Sequence, residues 1–126
     1  MSGERILVVE DNEKNMKLFR DVLVATGYRT LEATTGSEAV DMASEQLPDL
    51  VLMDIQLPDL DGVQALHRLR ANTRTATIPV LALTAQAMQG DRERFLAAGF
   101  DGYLSKPVDV RELIGIVREH CGGGGR

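Results

Sequence analysis

The chain has 126 residues, 44% of them hydrophobic and 26% charged, which suits one globular domain around a single core. A formal net charge of -5 argues against direct nucleic-acid binding, which needs a basic patch. No apolar run reaches the roughly 18 residues that cross a bilayer, and a single cysteine, Cys121, excludes an internal disulfide and fits a reducing cytoplasm. The opening Met-Ser-Gly-Glu-Arg leads straight into an apolar run and leaves no room for a signal peptide. That run, Ile6-Leu7-Val8-Val9, predicts a strand over residues 5–9. A helix is expected over 13–26, stopped by Gly27, with Asn15, Leu18, Phe19, Val22 and Thr26 facing the sheet. Met16 lies off that stripe and reads as a surface methionine or a partner contact. A strand over 29–33 follows, then a helix from Ser37 that ends before Pro48. Leu50-Val51-Leu52-Met53 reads as a strand buried on both faces. A helix starts at Gly62, capped by Asp61, and runs to Ala71. Residues 79–83 form the fourth strand, 87–98 a helix stopped by Gly99, 102–104 a short fifth strand and 109–120 the last helix. The glycines at 122–125 cannot hold regular structure, so 1–121 is one domain and 122–126 a flexible tail or a linker stub.

Five alternations of strand and helix are the signature of a parallel sheet with crossover helices. In such a sheet ligands bind beyond the C-terminal ends of the strands. Glu10 and Asp11 leave the first strand, Asp54 the third, Thr84 and Ala85 the fourth, Lys106 and Pro107 the fifth. Three acids, a hydroxyl and an ammonium therefore converge on one rim from distant parts of the chain. Bland readings exist for each. Asp11 or Asn12 could cap the first helix, Asp54 could be a turn residue, and Asp59 and Asp61 read as turn and cap residues. His67 and His120 have no metal-ligand partner one helical turn away and read as solvent-facing. Three carboxylates at one sheet edge, however, are costly unless a cation shares the site.

Glu10-Asp11, Asp54, Thr84 and Lys106-Pro107, with Pro58 and Asp61-Gly62 after the central acid, resemble the receiver domains of two-component response regulators. The likeness runs from Arg5 to Cys121, and Val9 to Phe19 further resembles the DivK-like single-domain regulators. The resemblance implies a flavodoxin-like α/β fold with strand order 2-1-3-4-5 and helices on both faces. It implies a phosphoacceptor module and not a turnover enzyme, one that catalyses only its own phosphorylation and slow dephosphorylation. Asp54 would take the phosphoryl group from a histidine kinase or a histidine phosphotransfer protein. Mg²⁺ (or Mn²⁺) would be held by Asp11, Asp54 and the backbone carbonyl of Gln56, with Glu10 reaching it through water. Lys106, aimed by a cis bond to Pro107, and Thr84 would meet the phosphoryl oxygens. Thr84 and Tyr103 would form the switch, although Tyr103 also reads as an ordinary half-buried aromatic on an edge strand. Met16, Pro107 and Val108 are the candidate partner-docking residues. The downstream partner would be a protein if the chain stands alone; otherwise it is the receiver of a larger hybrid kinase or output-bearing regulator. Two other uses of a carboxylate on this fold fit less well. A haloacid-dehalogenase-like phosphatase needs a second acid where Gln56 stands, and a nucleotide or flavin binder needs a Gly- or Ser-rich loop where Glu10-Asp11-Asn12-Glu13 stands.

Overall fold

Unbroken apolar runs become the interior strands. In a computed structural model, which describes residues 3–85 and 91–121, β1 (Arg5–Val9), β2 (Arg29–Ala33), β3 (Leu50–Asp54), β4 (Val80–Thr84) and β5 (Gly102–Ser105) pair in parallel in the order β2-β1-β3-β4-β5. Every residue of β3 and β4 is buried, as expected of strands covered by helices on both faces. Alternation along the strands divides the core. Leu7, Val9, Val51, Met53, Val80 and Ala82 point to one face, where α2 (Gly36–Gln46), α3 (Gly62–Ala71) and α4 (Asp91–Ala98) pack. Ile6, Val8, Leu50, Leu52, Leu81 and Leu83 point to the other, under α1 (Glu13–Ala25) and α5 (Val110–His120). The flavodoxin-like α/β architecture expected from the sequence is the one observed.

Element boundaries agree within a residue or two, apart from the fourth helix. Its expected start at residue 87 lies outside the described residues, and α4 is described from Asp91. The tail at 122–126 lies outside them as well. Helix α1 corrects the sequence reading. Its buried face is Met16, Phe19 and Leu23, while Leu18 stands 38% exposed. The stripe through Leu18 and Val22 is thus one residue off the true one. The larger side chains Met16, Phe19 and Leu23 meet β1, β3 and α5 in the second core cluster, whereas Asn15 is turned toward the rim. Met16, only 5% exposed, is a core residue and is withdrawn as a docking candidate.

Two arginines that look ordinary in sequence lock the far end of the sheet. Arg70 on α3 donates to the carbonyls of Ala76, Ile78 and Gly99 and to Asp101 Oδ2 at 2.6 to 3.1 Å. Asp101 Oδ2 also accepts the Val80 N–H at 2.8 Å, which closes the entry to β4. Arg5 donates to the carbonyls of Gln46 and Leu47 at the C-terminus of α2, where an orphan carbonyl pair favours a cation. Among the described residues no helix is long and apolar enough to cross a membrane.

Candidate functional site

The rim expected at the strand C-termini is present. Glu10 follows β1 and is still part of the ladder, its N–H donating to the Ala33 carbonyl at 3.0 Å. Asp54 is the last residue of β3 and Thr84 the last of β4; both are buried, as is Glu10. Lys106 follows β5, its N–H donating to the Thr84 carbonyl at 2.7 Å, and the Lys106–Pro107 bond is cis. The Lys106 ammonium lies 2.7 Å from Asp54 Oδ2 and 2.8 Å from Glu10 Oε1. Asp54 Oδ1 accepts the Gln56 N–H at 3.0 Å, and Glu10 Oε2 accepts the Asn12 N–H at 3.1 Å. Both oxygens of the central carboxylate are therefore oriented, at the floor of an open cleft of about 510 Å³ that also includes Asp11, Asn15 and Ala85.

Burial pushes the Glu10 carboxyl above its ordinary range, and the charge of Asp54 adds to this; the Lys106 ammonium and the Asn12 N–H oppose it. Burial alone would lower Lys106, but its hydrogen bonds and charge pairing with Asp54 and Glu10 outweigh that and raise it. One ammonium among three acids leaves the site short of positive charge. Glu10 Oε1 is buried and meets the Lys106 ammonium at 2.8 Å, a cation it must share with Asp54. Carboxylate oxygens of Glu10, Asp11 and Asp54 lie within 4.8 Å of one another. The capping alternative for Asp11 is settled by its neighbour: Asn12 is the N-cap of α1, accepting the Asn15 N–H at 3.0 Å. That leaves the exposed Asp11 carboxylate uncommitted to any hydrogen bond or ion pair among the described residues. An oxygen-only donor set, short of positive charge and with the Asp11 carboxylate uncommitted, fits a hard divalent cation such as Mg²⁺.

The loop after Asp54 is held by glycines and caps. A Cβ on Gly62 would lie 2.7 Å from the Asp54 carbonyl oxygen and 2.9 Å from Ile55 Cα, so the start of α3 packs on the backbone of the phosphoacceptor candidate itself. Gly62→Ala is therefore expected to destabilise the protein by about 2 kcal/mol or more, measurable by urea unfolding, and to shift the Asp54 backbone signals in NMR spectra. Asp61 caps α3, as read from sequence, and the structure adds a capping box with Gln64. Asp59 does more than turn the chain. Its carboxylate accepts the Gly36 and Ser37 N–H groups at 2.8 and 3.0 Å, at the N-terminus of α2. The Ser37 side chain first, then the surrounding backbone N–H groups, hold it well below the usual carboxylate range. No local pattern signals this cap, because it reaches from the loop after β3 to a helix earlier in the chain.

His67 is exposed, as expected. His120 is not simply solvent-facing: it is half-buried, its ring nitrogens 2.9 and 3.3 Å from the carbonyl oxygens of Ile116 and Asp101. Burial, with the Glu4 and Asp49 charges adding, pushes the Cys121 thiol up to about 12, so it stays protonated and unreactive at neutral pH.

The response regulator receiver domain family model matches residues 6–118. The chain belongs to this family. It is 46% identical to the polar-differentiation response regulators DivK of Brucella ovis and Brucella abortus over 117 residues, 93% of this chain and 95% of each of theirs. The receiver domain of the sensor histidine kinase PA1611 from Pseudomonas aeruginosa, a structure with a magnesium ion coordinated in its active-site cleft, superposes with a TM-score of 0.88 at 42% identity, covering 95% of this chain and 98% of that one. The signal receiver domain of a histidine kinase from Syntrophus aciditrophicus superposes at 0.87 with 32% identity over 98% of this receiver and 94% of that chain. In this receiver Tyr103 is half-buried, its ring centroid 5.8 Å from that of Phe95. Pro107 is exposed and Val108 partly so, beside the cleft.

Proposed function

We propose that this receiver takes a phosphoryl group onto Asp54 from the phosphohistidine of a cytoplasmic histidine kinase or phosphotransfer protein, and that the charged product changes which partner protein it holds. The observation that carries this reading is the oriented, buried Asp54 carboxylate, bridged by Lys106 to Glu10 and clustered with the uncommitted carboxylate of Asp11. A carboxylate is a competent nucleophile in such transfers. An Asp54 oxygen forms a bond to phosphorus, the phosphorus–nitrogen bond to the donor histidine breaks, and the electron pair returns to the imidazole. Lys106 moves from pairing a carboxylate to pairing the incoming phosphoryl oxygens, stabilising charge where it grows. Asp11, Asp54 and the Gln56 carbonyl would hold Mg²⁺ or Mn²⁺, with Glu10 acting through water. When bound, the cation neutralises the acids and the phosphoryl charge. Ala85, small and exposed on the cleft, leaves room for the donor imidazole.

Thr84 would donate its hydroxyl to a phosphoryl oxygen and draw the end of β4 inward. Tyr103 would follow into the space, a population shift driven by the better fit of the phosphorylated state. Pro107 and Val108 are the surface we assign to the donor protein. A second setting, the receiver of a hybrid kinase, is favoured by the likeness to the PA1611 receiver and uses the same chemistry. The test is incubation with acetyl phosphate, with phosphoryl incorporation read by intact mass and located by peptide mapping. Incorporation on Asp54 with Mg²⁺, and its loss in excess EDTA, is the expected result. Incorporation that ignores EDTA, or that maps elsewhere, overturns the assignment.

A further inference from the structure

Strand β2 is a border of the sheet, paired with β1 alone. Its Arg29 N–H donates to the Glu4 carbonyl at 2.9 Å, and its Ala33 carbonyl accepts the Glu10 N–H at 3.0 Å. In a parallel ladder alternate residues turn their backbone groups to the same neighbour. Arg29, Leu31 and Ala33 therefore face β1, and the N–H and C=O groups of Thr30 and Glu32 face outward. No backbone group takes them up among the described residues. An open edge of this kind is a template for another strand.

Beside that edge runs a groove of about 630 Å³, with Leu31 and Met42 as its apolar floor and Glu38, Asp41 and Glu45 of α2 along its wall. The three acids are spaced three and four residues apart, so they share one helix face. No lysine or arginine lines the groove, and Asp41 and Glu45 form no ion pair among the described residues. Arg29, the one cation of the strand, sits at its start beside Gly3. An apolar floor under an acidic wall matches a lysine or arginine side chain, whose stem lies on apolar surface while its head stays with charge.

We propose that the β2 edge is a docking strand for an extended basic segment of a partner protein. The segment pairs with the outward groups of Thr30 and Glu32, and every second side chain, a lysine or arginine, lies over Leu31 and Met42 to reach the acids of α2. A second copy of the receiver is a poorer occupant, since pairing β2 with β2 would bring two acidic walls together in a chain of net charge -5. The surface is on the opposite border of the sheet from β5, so occupying it leaves Tyr103 free to move.

The probe is a blocked eight-residue peptide alternating lysine and valine, titrated into ¹⁵N-labelled full-length protein, with a glutamate-valine peptide and a lysine octamer as controls. Only the lysine-valine peptide should shift the Thr30 and Glu32 amides and slow their hydrogen exchange. The double variant Asp41→Lys, Glu45→Lys should weaken binding at least about tenfold. Thr30→Pro should abolish it while sparing the β1 ladder, because the lost N–H points outward; if that variant does not fold, the charge variant decides alone. Shifts centred on Glu10, Asp11 and Asp54, equal binding of the lysine octamer, affinity unchanged in the charge variant, or dimerisation of the unliganded protein through β2 in sedimentation would each overturn the proposal.

Discussion

Asparagine in place of Asp54 is expected to leave the protein folded while lowering phosphoryl incorporation from acetyl phosphate at least about 1,000-fold. The substitution is isosteric, so the Gln56 N–H keeps an acceptor and the end of β3 keeps its place. What disappears is the anionic oxygen proposed to attack phosphorus. A neutral amide oxygen is a poor nucleophile, and no other acid takes over the position: Asp11 is exposed at the mouth, and the Glu10 carboxylate, just after β1, is held by Lys106 and the Asn12 N–H. Removing one charge from a cluster of three also relieves repulsion. The variant should therefore unfold no earlier than the parent in metal-free buffer. Intact-mass labelling and thermal unfolding on the same sample separate the two effects; labelling that persists with a normal melting curve would refute Asp54 as acceptor.

Lys106→Met should carry the second largest effect, on both reaction and fold. Methionine fills similar space but strips the ammonium from between two carboxylates whose side chains are 1% and 6% exposed. Breaking a buried pair leaves uncompensated charge, at a cost of about 3 kcal/mol in metal-free protein. The pH dependence has a definite sign. A raised folded value for Lys106 means its contribution is complete below the ordinary lysine range near 10.5 and is lost only as pH rises through the raised value. Glu10, raised above 4.5, has the same sign in a lower window: the fold prefers its protonated form, so stability is gained as pH falls toward 4.5 and lost as pH rises through the raised value. Without Lys106 that second effect grows. Melting curves in EDTA should show the variant gaining stability on acidification from neutrality more steeply than the parent. Labelling should fall about a hundredfold, since one positioned cation at the transferring group is lost. Equal slopes in the two proteins would show that Lys106 does not compensate the acids.

The rim was legible from sequence because strand ends announce themselves. A short apolar run followed at once by Glu10-Asp11, by Asp54 or by Thr84 needs no knowledge of packing, and parallel topology does the convergence. Lys106 was legible for the same reason. The rotation of α1 was not. Met16, Phe19 and Leu23 lie one residue from an equally periodic set, and only contact with β3 and α5 decides between them. Cross-element clasps were invisible as well. Asp59 caps a helix that begins 23 residues earlier, and Arg70 binds carbonyls up to 29 residues ahead. Such pairings depend on where elements land after folding, so local propensity carries no trace of them.

The grip of Asp59 on α2 has a thermodynamic consequence for the cleft. The segment that carries Gln56 is fastened at one end by the close approach of Gly62 and at the other by Asp59 across to Gly36 and Ser37. If the Gln56 carbonyl holds the cation as proposed, its already immobilised segment demands little further loss of chain entropy when the cation arrives. Cation affinity in this receiver would thereby be open to adjustment from the N-terminal turn of α2, by residues that never touch the ion, while the three acids themselves stay unchanged.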